Sequence, residues 1–448
     1  MDTAILEKQA WPNQRLDNNY IYLFLITSLI VSYVFVYGYW LNRAVASNSL
    51  EIFKDTGYWI EASNFLNKDQ NPYVNQELYK SGIFSASIIG LIQFFPIPME
   101  LNLLIFQIFS TLGLLGFVFT VLPSNKTKSA LIFCVILFSS TREIFVNNQL
   151  TGILVGAFSV CLYILKLMDS DSSKLNRTKV YLAQTLTGLL MIFLLDAKVN
   201  IFLFPVLFVV VKYKGIKPFL IGLLVWTSHQ VYYSLKVGDV LLLSWFETLG
   251  ETSNYETNPN LYGSLGFWQI VNNFSQNELL FTYGPPIAFL TLGFFALTFA
   301  RSNNIILPLS LSFLTNYFYT YFHYYSYFPI LTMLMYAIFL HTSPFLVGFV
   351  LSTMFISFNI FNSSILLSFA AMVVFMTLYT FRSKKNDLLF VFGWSASLFS
   401  RFLFLSEFEN NDYFKKSIIV SVPILALIVS VLLERVLQKI KITSLRVF

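Results

Sequence analysis

Apolar runs of about twenty residues recur along almost the whole chain, broken by short polar turns. A helix needs roughly 20 largely apolar residues to cross the hydrocarbon core of a bilayer. Inside that core each backbone N–H and C=O must be bonded within the protein, which a continuous helix achieves segment by segment. Charged residues make up 12% of this chain, against about 25% in soluble domains. With 49 Phe and 25 Tyr beside so few charges, a water-facing surface cannot be covered. The pattern therefore predicts an all-α polytopic membrane protein and excludes a soluble enzyme.

Candidate spans are 20–41, 101–122, 129–146, 150–168, 180–195, 200–211 and 218–235, then 280–300, 305–322, 324–340, 344–361, 363–381, 388–406 and 417–433. The first lacks a small-residue cleavage site and reads as an anchor, not a removed leader. The run 200–211 is short and contains Pro205, so it reads as tilted, broken, or half of a hairpin with its predecessor. The run 81–98 either crosses or lies along the interface. Basic residues decide between these. With Lys8 and Arg15 inside and 81–98 not crossing, the inner turns collect Lys126 and Lys128, then Lys174, Arg177 and Lys179, then Lys212, Lys214 and Lys217. Arg301, the Arg382 to Lys385 cluster and the tail from Arg435 to Arg446 fall on the same side. Most of the 29 Lys and Arg then lie inside, as the positive-inside rule requires. The expectation is a bundle of about 12–15 helices, fourteen by this count, with both termini cytoplasmic. The net charge of +6 belongs to those inner turns and implies no nucleic-acid partner.

Two outer segments are long. The chain thus divides into a membrane module at 1–236 that includes the first outer loop, 42–100, then a second outer loop at 237–280, and C-terminal helices at 281–448. Loops this long in a compact protein are usually functional. The first carries EIFKDTGYWIEASNFLNKDQNPY, from Glu51 to Tyr73, with Asp55 ahead of the aromatic pair Tyr58 and Trp59. A carboxylate fixed at the membrane edge can take a proton from an acceptor hydroxyl. The structural alternative is a solvated Asp, or one capping the short helix expected over 58–66.

Under this topology several polar residues gather on the outer side: Asp55; Arg142, Glu143 and Asn147 to Gln149; Asp196 and Lys198; Asn258 and Ser264; and His323. Ionisable groups near membrane segments are costly and are functional candidates by default. Each also has a plain reading. Arg142 and Glu143 can pair at a helix end, Lys198 can neutralise Asp196, Asn147 to Gln149 can cap helices, and His323 can sit in an aromatic belt. His229, His341, Lys166 and Glu434 read as structural, and Gly152-x-x-x-Gly156 as a helix contact. Cys134 and Cys161 lie in apolar runs and form neither a disulfide framework nor a metal cluster. The chain has no G-x-x-x-x-G-K-[ST], G-x-G-x-x-G or H-E-x-x-H motif. An outward-facing enzyme without a nucleotide site needs an activated substrate delivered through the membrane, and a lipid-phosphate-linked group meets that need.

These residues resemble a known family. DTGYW followed by a helix and an NPY turn is similar to the first outer loop of the family-87 glycosyltransferases, members of the GT-C superfamily that use polyprenyl-phosphate sugars. NNQLTGILVGAF resembles that family's G-Q-x-N span opening. LLDAKVNIFLFPVLFVVVKYKG resembles its K-x-x-P segment with a basic loop, NPNLYGSLGFW its N-Q-S-L-x-G stretch, and YFHYYSYFPIL its late aromatic segment. The matches keep the family's order across about residues 50–335. The chain departs at Asn148, where the family has Gly, at Lys80 to Gly82, where it has Tyr-Pro-Pro, and at Pro259 and Asn260.

The resemblance implies a GT-C-like bundle whose outer loops carry juxtamembrane helices. It implies Asp55 as general base, and Lys198, Arg142, His323, Gln149 and Asn258 toward the donor phosphate or sugar, with Tyr58 and Trp59 as aromatic contacts. The donor would be a polyprenyl-phosphate hexose such as mannose, and the acceptor a hydroxyl of a glycolipid or glycan. The site would face the periplasmic or extracytoplasmic side of the plasma membrane. Nothing requires a metal or cofactor, and a divalent cation beside Asp55 and the phosphate is compatible with the residues. A transporter or flippase of lipid-linked saccharides is the alternative, with another outer-face lipid-modifying enzyme third. No internal repeat of the transporter kind is evident.

Overall fold

The computed structural model describes residues 54–75, 81–91, 99–121, 149–171, 176–256, 265–300 apart from 276, 305–319 and 384–405, with scattered positions between 322 and 425. Among them every regular element is helical. The expected spans 20–41, 129–146 and 363–381 lie outside the described residues, and 324–340, 344–361 and 417–433 do so for the most part. Among the described residues three helices are long and apolar enough to cross a membrane, compatible with an α-helical membrane protein.

In chain order the helices are α1 (Lys54–Asn67), α2 (Pro72–Asn75), α3 (Ile83–Gly90), α4 (Met99–Val121), α5 (Thr151–Asp171) and α6 (Arg177–Lys212). Then come α7 (Ile216–Val237), α8 (Leu241–Glu256), α9 (Phe267–Phe274), α10 (Glu278–Thr298), α11 (Ile306–Leu314) and α12 (Lys384–Leu405). A 3-10 turn, Thr315–Phe318, extends α11. The eight residues of α3 make about 12 Å of helix, well short of a bilayer core of about 30 Å. The rest of the 81–98 run, from 92 to 98, lies outside the described residues.

Helices α4 and α5 run parallel and touch where side chains are absent. A Cβ on Gly113 would stand 2.2 Å from the Gly152 carbonyl oxygen, and one on Gly156 would stand 2.6 Å from Gly113 Cα. The small-residue spacing Gly152-x-x-x-Gly156 thus makes the helix contact it predicted. Gly116, one turn further along α4, meets nothing nearer than Ser159 Cβ at 3.9 Å. Gly113→Leu is accordingly expected to cost about 1–3 kcal/mol by overpacking, read as a lowered melting temperature in detergent. Gly116→Ala is expected to leave that temperature unchanged.

Although unbroken by any loop, α6 is not one rod but two helical arms. Lys198 has φ −149° and ψ 76°, and there the chain doubles back. The space beside Gly215 is bounded by the side chains of Leu165 and Met191; a straight helix would carry position 215 about 36 Å beyond position 191. The hairpin reading of 200–211 with its predecessor is the correct one. The first arm packs on α7 through Gly188 and Gly222, where a Cβ on Gly188 would meet the Pro218 carbonyl at 2.1 Å.

The two arms, α4 and α5 close around aromatic rings. Phe313 of α11 meets Phe158 edge-on at 5.3 Å, Phe117 at 5.8 Å and Phe202 at 6.0 Å. One ring thereby ties α4, α5 and the second arm of α6 together, in the offset and edge geometries that ring quadrupoles favour.

Candidate functional site

The site is built on the break at Lys198. Leaving the helix there frees the carbonyls of Asp196 and Ala197, which in an apolar bundle must find other donors. The first loop supplies them. Gly82 N–H donates to the Asp196 carbonyl at 2.7 Å, and the Ser81 hydroxyl to the Ala197 carbonyl at 2.8 Å. Tyr73, at the NPY turn, steadies this segment by donating its hydroxyl to the Ser81 carbonyl at 3.0 Å.

Asp196 works as a cap in trans. Its side chain is buried, with one oxygen accepting from Ser85 N–H at 2.7 Å and the other from Trp226 Nε1–H at 2.7 Å. Ser85 lies in the first turn of α3, where unpaired amide donors favour a carboxylate. The sequence grouped Asp196 with Lys198 as a possible neutralised pair. The fold instead turns its carboxylate to α3 and α7 and sends the Lys198 ammonium to Gln149, Nζ to Oε1 at 3.1 Å. Gln149 is buried and Lys198 half-buried. Two of the sequence-predicted residues are thus brought together at the N-terminal end of α5, whose positive dipole end favours an anion.

Gly82 is required by this close approach. A Cβ there would fall 2.0 Å from an Asp196 carboxylate oxygen. Gly82→Ala should lower the melting temperature by displacing α3, and Asp196→Ala should do so by orphaning two buried donors, at about 1–3 kcal/mol each. The double variant relieves the clash, so the two losses should add to more than the loss measured for the pair. Strict additivity in that cycle would refute the packing account.

Asp55 stands in the first turn of α1, a helix that begins earlier than the expected 58–66. Its side chain lies outside the described residues. One turn on, Trp59 is a core residue and Tyr58 is half-buried against the same core. Helix α1 packs on α3, where the space beside Gly90 is filled by the Ser63 side chain. The helix bearing Asp55 therefore packs on the helix that directly follows Ser81 and Gly82, the residues bonded to the carbonyls next to Lys198.

Arg142, Asn258 and His323 lie outside the described residues, as do Glu143, Asn147, Asn148 and Ser264. The neighbours of two of them meet: Leu265 N–H donates to the Phe322 carbonyl at 2.8 Å. Trp268 Nε1–H adds a bond to the Phe318 carbonyl at 2.6 Å. The stretch from Leu265 to Trp268 thus packs against the segment from Phe318 to Phe322.

Some links were not foreseen from the sequence. Asn71 makes an Asx turn to Tyr73 N–H at 2.9 Å and donates to Asp239 and to Ser244, the latter at 3.1 Å. Gly238, with φ 77°, ends α7 in the left-handed conformation glycine accepts without strain and so presents Asp239. Lys236 pairs with Asp69 at 2.6 Å, a hydrogen bond that holds its ammonium above the usual lysine range. His229 bonds Ser87 at 3.1 Å and stands edge-on to Phe84 at 5.2 Å, a packing role in keeping with the structural reading. The Asn71-Pro72 turn was the advance signal for the first of these. No protein family, curated protein or solved structure matches the chain.

Proposed function

We propose that the chain is an integral-membrane glycosyltransferase of the GT-C kind, with about fourteen spans. It transfers a hexose such as mannose from a polyprenyl-phosphate donor to an acceptor hydroxyl on the outer face, with inversion. The observation that carries the reading is the half-buried ammonium of Lys198, set at a helix break, bonded to Gln149 and linked through α3 to the helix of Asp55. In this reading Asp55 removes the acceptor's proton as its oxygen attacks the anomeric carbon. The bond from that carbon to the phosphate oxygen breaks, and the electron pair leaves with the phosphate. Lys198, with Gln149, Arg142, His323 and Asn258, meets the charge that develops there. Preorganised donors at a developing oxyanion supply the largest single catalytic effect in most enzymes. The leaving phosphate needs no proton at neutral pH, so one carboxylate suffices.

A flippase of lipid-linked saccharide would need polar groups along a path through the bilayer. The described candidates, Gln149, Asp196 and Lys198, instead meet at one level of the bundle, which favours chemistry over transport. The test is proteoliposomes loaded with polyprenyl-phosphate mannose labelled in the sugar, with membrane extract as acceptor. Labelled product that is no longer released by mild acid is expected. Labelled donor crossing the bilayer with no product would sink the reading and favour the flippase.

A further inference from the structure

The start of α5 is a buried helix end that no side chain among the described residues caps. The first amide bonded there is that of Leu154, to the Leu150 carbonyl at 2.9 Å. The amides of Thr151, Gly152 and Ile153 are the orphan donors that a helix start leaves. Leu150, just ahead of the helix, has no side-chain oxygen to accept from them. Gln149 has one, but Lys198 Nζ donates to it at 3.1 Å. Leu150, Thr151 and Gly152 are all buried, so little solvent covers this end. A second observation points to a ligand here. The Thr151 side chain is 0% exposed and its hydroxyl has no hydrogen-bond partner, whereas buried polar groups in native proteins are nearly always bonded. Thr151 is the first residue of α5. Side chains on a helix tilt toward its N-terminus, which sets this hydroxyl on the same side as the orphan amides. The Lys198 ammonium is tied to that end too, through Gln149 two positions earlier.

We propose that Thr151 and the first amides of α5 complete an oxyanion site for a phosphoryl group, with Lys198 as its counter-charge. The inference rests on the functional reading above, in which Thr151 has no part, and it gives the donor phosphate a fixed seat. An unbonded hydroxyl and orphan amides, with an ammonium held at their end, form a donor set that one tetrahedral anion satisfies. The helix dipole adds partial positive charge at the same place. Hydrogen bonds to an ionised oxygen are roughly twice as strong as neutral ones, so the hydroxyl contributes most once the anion is bound. In the ligand-free chain it is an unsatisfied group that costs stability.

Thr151→Val should therefore move stability and affinity in opposite directions. It exchanges the hydroxyl for a methyl of similar size. The melting temperature of the ligand-free full chain in nanodiscs should hold or rise. Undecaprenyl phosphate should bind about tenfold more weakly, and Thr151→Ser, which restores the hydroxyl, should recover the affinity. Undecaprenol, with the same tail and no phosphate, should not distinguish the three chains. Thr187→Val is the control. Thr187 is also fully buried with an unbonded hydroxyl, but it lies about 16 Å from Lys198 along the first arm of α6. Its substitution should hold or raise the melting temperature and leave the affinity alone. If Thr151→Val does not fold, Thr151→Ala removes the same hydroxyl and should show the same tenfold loss, again reversed in Thr151→Ser. Unchanged affinity for undecaprenyl phosphate, equal weakening of undecaprenol, or a fall in melting temperature in Thr151→Val that Thr151→Ser reverses would overturn the proposal. Inorganic phosphate separates the lipid from a free ligand. Thr151-dependent binding of inorganic phosphate, in a chain that ignores undecaprenyl phosphate and transfers no sugar, would remove the functional reading alone. Asp55-dependent transfer with wild-type affinity for undecaprenyl phosphate in Thr151→Val would remove the Thr151 site alone.

Discussion

In membranes carrying Asp55→Asn, transfer of labelled sugar from the lipid donor is expected to fall by about 10²–10⁴-fold. The substitution keeps the side chain's size and removes its basicity. Expression, insertion and melting temperature should stay at wild-type values. The pH profile supplies a second readout. A base that must be ionised gives a rate that falls on the acid side as it takes up a proton, and Asp55→Asn should abolish that limb. Asp55→Glu, which restores the carboxylate on a longer arm, should recover part of the rate. Wild-type transfer by a folded Asp55→Asn chain would remove Asp55 from the chemistry and leave it a polar residue in the first turn of α1.

Lys198→Met is the second large expectation, a loss of about 10²–10³-fold in kcat, the usual cost of deleting one donor to a developing oxyanion. Methionine keeps most of the lysine's apolar length and loses the charge. The backbone break at 198 is held by Gly82 and Ser81 through main-chain carbonyls, so the fold should survive and the melting temperature should move little. Lys198→Arg should retain part of the activity, because charge is kept while the donor geometry changes. Gln149→Ala should cost less than Lys198→Met, since its role in the pair is to orient the ammonium. If Lys198→Met instead lowers the melting temperature and leaves kcat intact, Lys198 is a packing residue.

Length and apolarity alone located α4, α5, both arms of α6, α7 and α10, because a membrane dictates how long such a segment must be. The spacing Gly152-x-x-x-Gly156 and the Asn71-Pro72 turn carried their geometry in a few adjacent residues. Asp196 did not. Its neighbour two positions on, Lys198, suggested a local charge pair, whereas its hydrogen-bond partners are Ser85, 111 positions away, and Trp226, 30 away. No local pattern announces a cap supplied from so distant a part of the chain. The same holds for Gly82, whose necessity follows from the carboxylate placed against it and not from its own turn. The pairing of Gln149 with Lys198 was foreseen only as membership of one side, set by the charge of the inner turns.

The most direct measurement of the central claim is a structure of the chain in a nanodisc with a non-hydrolysable polyprenyl-phosphonate sugar. The account predicts the phosphonate within hydrogen-bonding reach of Lys198 Nζ, the anomeric carbon turned toward the first turn of α1, and the Asp55 carboxylate on the face opposite the leaving oxygen. A phosphonate bound at the other end of the bundle, or Asp55 and Lys198 exposed to opposite sides of the membrane, would contradict it.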